Sequence, residues 1–219
     1  MLHPAPGRPH GYRGRVGTYA AVVLAGGAAR RMGGVDKPAL PVGGRPMRDR
    51  VLAAVDDAAP RILVGPADEV PPGVRVTREE PPGGGPVAAA AAGLALLDPG
   101  ATVVALLAGD LPLLTAGAMG VLRRELARPG ADQSVCDGVC YVDSGGRRQT
   151  LCGVWRVSAL RAALDRLTAA RGGTLAGASV RALLAELTVR TVSWSGEGPP
   201  PWFDCDTDQD VRRAEEWAR

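Results

Sequence analysis

Residues 19–37 read YAAVVLAGGAARRMGGVDK and combine an apolar run with a glycine-rich loop. The first seven residues are continuously apolar, which is typical of a β-strand that is buried on both faces of a sheet. Gly26 and Gly27 end the strand, and a loop rich in glycine and arginine follows. Ligands of open α/β sheets bind at the carboxyl ends of the strands, so the sequence places a candidate binding loop where such sites occur.

Further along the first half of the chain, short apolar runs alternate with helical patterns. The predicted strands are residues 61–65, 74–77 and 102–108, and the predicted helices are residues 47–58, residues 87–97 and a third that begins after an N-cap at Thr115. This alternation is the rhythm of βαβ units. We therefore expect a single-domain, three-layer, Rossmann-like α/β fold, with a mostly parallel central sheet and helices on both faces.

The second half is less regular, and a disordered tail is expected before the domain. The predicted elements are strands 134–142 and 149–157 around a turn at Asp143, helices 159–169 and 179–187, strand 189–194, and a last helix opened by the capping box of Thr207 and Asp210. The domain is expected to span residues 19–219. Residues 1–18 are rich in Pro, Gly and Arg and contain no apolar region of a secretory signal, so a disordered tail is predicted.

The composition excludes several classes of function. The formal net charge of +3 is too weak to imply a nucleic acid or an anionic membrane as partner, and no apolar run approaches the ~18 residues of a membrane span. Both histidines, His3 and His10, lie in the tail, which removes His-dependent nucleophiles and His-ligated zinc. The four cysteines have no metal or redox spacing, so reduced, buried thiols in a cytoplasmic protein are expected.

The glycine-rich loop at residues 24–37 is suited to phosphate binding. Gly26 and Gly27 permit a tight turn, and we expect them to offer backbone N–H groups to phosphate oxygens. Arg31 and Lys37 can neutralise a triphosphate, and Lys37 is the only lysine in a chain that otherwise uses arginine. The loop is neither GxxxxGK[ST] nor GxGxxG, so the pattern alone leaves a surface loop without a ligand as the alternative.

The loop resembles the signature of the molybdenum cofactor guanylyltransferase family of nucleotidyltransferases. That signature runs L-A-G-G, then R-M-G, then D-K, and residues 24–27, 31–33 and 36–37 match it; PALPVGGRPM at residues 38–47 continues the match. LLAGDLPLL resembles the family's strand that ends in an acidic metal ligand, here Asp110. GGGPVAAAAAGL resembles its G-P-L-A-G segment, and FDCDTDQDV resembles its C-terminal N-x-N-T-P-E-D segment.

The resemblance implies a nucleotidyltransferase fold and a defined reaction. GMP would be transferred from GTP to the phosphate of a molybdopterin acceptor with Mg²⁺, pyrophosphate would leave, and a molybdoenzyme or its chaperone would be a further partner. Arg31, Lys37 and Asp110 would be catalytic, and Asp110 and Asp206 would hold the metal. The nucleotide-binding residues that the resemblance implies are Leu24, Ala25, Gly26, Gly27, Lys37, Glu80 and Asp110.

Two departures from the family's pattern leave alternatives open. Asp204 and Asp206 stand where the family has asparagines, which adds negative charge near the expected metal, and Glu80 stands where the family has aspartate. The pair Gly26-Gly27 favours guanine, because relatives that use CTP more often read L-A-A-G. The alternatives are a cytidylyltransferase or another NTP transferase of the same fold, and a non-catalytic module that binds a nucleotide or cofactor.

Overall fold

The computed structural model describes residues 19–26, 37–67, 69–129 and 136–219. The predictions for the tail, for Gly27 and for Arg31 lie outside these residues. The described elements, in chain order, are β1 (Ala20–Leu24), a 3-10 helix (Lys37–Ala39), β2 (Pro41–Val42), β3 (Arg45–Pro46), α1 (Met47–Ala54), β4 (Arg61–Val64), β5 (Val74–Thr77), α2 (Pro86–Ala95), β6 (Val103–Ala108), α3 (Ala116–Ala127), β7 (Gly138–Val142), β8 (Arg148–Arg156), α4 (Val157–Ala170), α5 (Val180–Leu183), β9 (Val189–Ser193) and α6 (Asp208–Trp217).

Seven strands form a mixed sheet in the order β5-β4-β1-β6-β8-β7-β9. Strand β1 lies in the middle of its parallel part, paired with β4 on one side and β6 on the other, and β5 pairs in parallel with β4. Strand β8 runs antiparallel to β6 and β7, while β7 and β9 are parallel. The prediction of a mostly parallel sheet is therefore confirmed, and the reversal comes from the predicted hairpin at Asp143.

Helices cover both faces of the sheet, so the three-layer prediction is confirmed. Successive side chains of β1 point to opposite faces. Ala21 and Val23 belong to a core that includes α1 and α3, whereas Val22 and Leu24 belong to a second core that includes α2, α4 and α5. All five residues of β1 are buried, which explains why its sequence is uniformly apolar.

The alanine-rich helix α2 approaches the sheet closely at Gly93. A Cβ atom at this position would overlap Cγ1 of Val22 and lie 3.0 Å from Cγ2 of Val64. Protein interiors are too densely packed to absorb such an overlap without a shift of the helix. The small residues of α2 therefore set the distance between this helix and β1.

The predicted cap signals are confirmed and fix the ends of two helices. Thr115 Oγ1 accepts a hydrogen bond from the N–H of Ala118 at 3.1 Å, which begins α3. Thr207 Oγ1 accepts from the N–H of Asp210, and Asp210 accepts in return from the N–H of Thr207, so the capping box of α6 is complete. The start of α6 thereby anchors the acidic segment that precedes it.

Two predicted helices need correction, and one hairpin was not predicted. Helix α1 ends at Ala54 rather than at residue 58, and residues 55–57 form a turn. Helix α5 is a single turn, Val180–Leu183, within the predicted 179–187. The hairpin β2–β3 was not predicted because its strands are only two residues long, although positive φ angles of 57° and 72° at Gly43 and Gly44 form the kind of turn that joins such strands.

The four cysteines are free and buried, as predicted. Burial raises the pKa of the Cys140 thiol to about 11, so this thiol is protonated and unreactive at neutral pH. In the described parts of the chain, no helix is both long enough and apolar enough to cross a membrane.

Candidate active site

The carboxyl ends of β1, β4 and β6 meet at one edge of the sheet, where the backbone is tightly packed. The N–H of Gly109, just after β6, donates to the carbonyl of Leu24 at 2.8 Å. Gly65, just after β4, has a φ of 145°, and a Cβ atom there would lie 2.6 Å from the nitrogen of Gly26. Glycine at position 65 is therefore required for the chain to pass so close to the end of β1.

Gly26 does not offer its N–H group to a ligand in this structure. That N–H donates to the carbonyl of Val64 at 3.0 Å, because the chain continues beside β4 before leaving the sheet. Whether Gly26 also contacts a phosphate stays a prediction. Leu24 and Ala25 are buried at the same edge. Their contact with a nucleotide stays a prediction, and the role of Gly27 lies outside the described residues.

Lys37 brings two carboxylates together at this edge. Its Nζ atom is 2.8 Å from Oδ2 of Asp110 and 2.6 Å from Oδ1 of Asp206. Lys37 begins the 3-10 helix, Asp110 follows β6, and Asp206 precedes α6, so three distant parts of the sequence converge on one ammonium group. Two of the three predicted catalytic residues thus meet, together with both predicted metal ligands. The third, Arg31, lies outside the described residues.

Negative charge dominates the surroundings of Lys37. Burial on its own lowers the pKa of Lys37, but the hydrogen bonds to Asp110 and Asp206 outweigh it and raise the pKa, so the ammonium is fully charged at neutral pH. Burial, followed by the charges of Asp206 and Asp110, raises the pKa of Asp204. Among the residues that the structure describes here, one ammonium and three aspartates leave an excess of negative charge, which suits the approach of a further cation.

The segment that carries Asp206 is held in place on both sides. The N–H of Cys205 donates to the carbonyl of Asp110 at 3.3 Å, which ties the segment to the end of β6. The Cys205 side chain is fully buried in a small cluster that includes Met47 and Leu113. The capping box at Thr207 fixes the other side. The position of Asp206 is therefore a product of the fold, although its side chain is 65% exposed.

Glu79, which the sequence analysis did not single out, is the acid that faces the end of β1. A Cβ atom on Gly26 would lie 3.7 Å from Oε2 of Glu79, and Oε1 of Glu79 accepts from the N–H of Gly83 at 3.1 Å. Glu80 is exposed, and its predicted nucleotide contact stays a prediction. Two adjacent glutamates are equivalent by pattern, so only the path of the backbone after β5 distinguishes them.

Asp110 and Asp206 fit Mg²⁺ as a pair. Within the described residues there is no group of three or more His, Cys, Asp or Glu side chains that could hold a metal. Mg²⁺, however, is usually held by one or two carboxylates and completes its shell with water and substrate phosphates. The carboxylate oxygens on either side of Lys37 are such a pair. Metal binding by these residues stays a prediction, and the donor set is suitable for it.

A family model described as the MobA-like NTP transferase domain matches residues 21–191, from β1 into β9. The chain belongs to this family. It is therefore a nucleotidyltransferase, and the end of the sheet described above is its candidate active site.

Curated relatives in the same family are similar over most of their length. A molybdenum cofactor guanylyltransferase from Nitrobacter hamburgensis is 31% identical over 208 residues, which cover 90% of this chain and 93% of that protein. A molybdenum cofactor guanylyltransferase from Acidiphilium cryptum is 33% identical, with 89% and 93% covered. The similarity thus extends over about nine-tenths of this chain.

Solved structures confirm the fold. Molybdopterin-guanine dinucleotide biosynthesis protein A from Archaeoglobus fulgidus superposes with a TM-score of 0.65 at 19% identity, covering 90% of this chain and 97% of that one. A 2-C-methyl-D-erythritol 4-phosphate cytidylyltransferase from Thermus thermophilus also gives 0.65, at 21% identity, with 92% and 98% covered. The fold is therefore shared by enzymes named for different nucleotides, and it does not choose between them.

Proposed function

We propose that this enzyme transfers GMP from GTP to the phosphate of a molybdopterin-type acceptor, with Mg²⁺, and releases pyrophosphate. The relatives named molybdenum cofactor guanylyltransferase, similar along about nine-tenths of the chain, support the choice of substrates. The observation that carries the proposal is the convergence of Lys37, Asp110 and Asp206 at the carboxyl end of the sheet. In this role the product would pass to a molybdoenzyme or its chaperone in the cytoplasm.

The proposed reaction is a displacement at the α-phosphorus of GTP. A bond forms between an oxygen of the acceptor phosphate and the α-phosphorus, the bond from that phosphorus to the bridging oxygen breaks, and pyrophosphate leaves with the bridging oxygen. The nucleophile is already an anion, so no general base is needed. The lack of histidine in residues 19–219 is consistent with this chemistry, in which positioning and electrostatics dominate.

In the proposed reaction, the acidic and the basic residues of the site would have different roles. Asp110 and Asp206 would hold Mg²⁺, which supplies charge neutralisation for the phosphates. Lys37 would stabilise negative charge on the triphosphate during the transfer, and we assign Arg31 the same role from the sequence signature. Residues 24–27 would bind the nucleotide at the carboxyl end of β1.

The donor nucleotide can be tested by binding alone. We expect GTP to bind at least about tenfold more tightly than CTP, ATP or UTP, which corresponds to ~1.4 kcal/mol, because the Gly26-Gly27 pair favours guanine. Calorimetry with each triphosphate, in Mg²⁺ and in EDTA, measures this preference. A preference for CTP would instead support a cytidylyltransferase. The absence of binding of any triphosphate to folded protein would contradict the proposal.

A further inference from the structure

The ammonium group of Lys37 is already engaged before any substrate binds. A lysine ammonium has three N–H donors, and Asp110 and Asp206 accept from this one at 2.8 Å and 2.6 Å. Its side chain is only 20% exposed. The two carboxylates together outweigh the single positive charge. A triphosphate that arrives alone therefore meets a lysine whose donors are largely used, within a group of net negative charge.

We propose that Asp206 is a positioning residue that withholds Lys37 from the triphosphate until a divalent cation occupies the two carboxylates. The inference rests on the proposed function, in which Lys37 contacts the phosphates. Lys37 and the cation compete for the same carboxylate oxygens. Once Asp110 and Asp206 bind the cation, Lys37 loses both acceptors and its N–H groups become available to phosphate oxygens. The enzyme thereby discriminates against nucleotide that arrives without metal.

Asp206 departs from the family segment that FDCDTDQDV, residues 203–211, resembles. The family pattern has asparagine at this position, and an amide oxygen still accepts a hydrogen bond from Lys37 but carries no charge. With asparagine, Lys37 and Asp110 alone would balance each other, and the hold on the ammonium would be weaker. Asp206→Asn keeps the shape of the side chain. The backbone there is fixed by the neighbouring Cys205 and Thr207, so the fold should be unaffected.

The first test measures nucleotide binding in the absence of metal. In EDTA, Asp206→Asn is expected to bind GTP about 3- to 10-fold more tightly than wild type, a range suited to a half-exposed charge pair. The ratio of Kd in EDTA to Kd in Mg²⁺ should fall accordingly. The matched control is Asp208→Asn, which removes the same charge two residues away at an exposed position at the start of α6. It should leave the ratio within about twofold of wild type.

The second test measures cation binding without nucleotide. Mn²⁺ titrations followed by electron paramagnetic resonance should show about tenfold weaker binding to Asp206→Asn, because one of the two carboxylates is lost. Asp208→Asn should again behave like wild type. If Asp206 had a purely structural role, Asp206→Asn would neither weaken Mn²⁺ binding nor lower the ratio of Kd in EDTA to Kd in Mg²⁺ for GTP.

The outcomes separate the inference from the proposed function. If wild-type protein binds GTP in Mg²⁺ but Asp206→Asn binds metal-free GTP no more tightly than wild type, the role of Asp206 is contradicted and the proposed function stands. The role is equally contradicted if Asp208→Asn reproduces the effect, because a general loss of negative charge would then explain it. If wild-type protein binds no GTP under either condition, the proposed function fails and the inference falls with it.

Discussion

Asp110→Asn is expected to lower kcat for nucleotidyl transfer by about 10²- to 10³-fold, with the fold unchanged. The carboxylate of Asp110 contacts Lys37 at 2.8 Å and is the proposed metal ligand in the turn after β6. The amide keeps its size but loses the charge that holds both the cation and the lysine. The backbone carbonyl of Asp110, which accepts from Cys205, is unaffected, so the C-terminal segment should stay in place.

Asp98→Asn is the matched control for this variant. Asp98 also pairs with a basic side chain, Arg75, at 2.9 Å, but both partners are about half exposed. Arg75 lies in β5 and Asp98 follows α2, away from the site. Such exposed pairs contribute about 0–1 kcal/mol, so transfer should be unchanged. Circular dichroism and thermal melting check the fold of both proteins. Turnover near the wild-type rate in folded Asp110→Asn protein would remove Asp110 from the mechanism.

Lys37→Ala is expected to lower kcat/KM for transfer by about 10²- to 10³-fold, and Lys37→Arg should restore little of it. The alanine variant removes the ammonium that the proposal directs to the triphosphate. Arginine restores the charge, but its planar, wider group cannot replace a compact ammonium between two carboxylates. Steady-state kinetics with varied GTP measures both effects.

Lys37→Ala is expected to have the opposite effect on metal affinity, which should increase. With the competing ammonium gone, Asp110 and Asp206 should bind Mn²⁺ more tightly in the absence of nucleotide, although transfer is impaired. A simple unfolding of the site would weaken both. Arg75→Ala, which removes an exposed cation elsewhere, serves as the control and should change neither quantity. Wild-type kcat/KM in Lys37→Ala would contradict the role of Lys37.

Much of the architecture could be predicted because its causes are local. The uniformly apolar sequence of β1 requires burial on both faces, and the alternation of such strands with helices requires crossovers that build a parallel sheet. The helix caps at Thr115 and Thr207 depend on residues three positions apart, so they too can be predicted from the sequence. Local patterns thus determined the layers and most element positions.

The details of the site could not be predicted because they depend on long-range geometry. Lys37 and Asp206 are 169 residues apart, and nothing local indicates that one would bind the other. The hydrogen bond from the N–H of Gly26 to the carbonyl of Val64 likewise joins residues from two different strand ends. Which of Glu79 and Glu80 turns inward depends on the path of the chain after β5. Sequence patterns therefore identify candidate site residues, whereas their contacts with one another depend on the fold.

The most direct test of the proposed function is acceptor-dependent release of pyrophosphate. Purified protein is incubated with Mg²⁺, a molybdopterin-type acceptor and either GTP or CTP, and both pyrophosphate and the nucleotide-bearing product are quantified. We expect pyrophosphate release with GTP that requires the acceptor and Mg²⁺ and yields one guanylylated product per pyrophosphate. Tight GTP binding without pyrophosphate release, under conditions in which a known relative is active, would contradict it and leave a nucleotide-binding module without transferase activity.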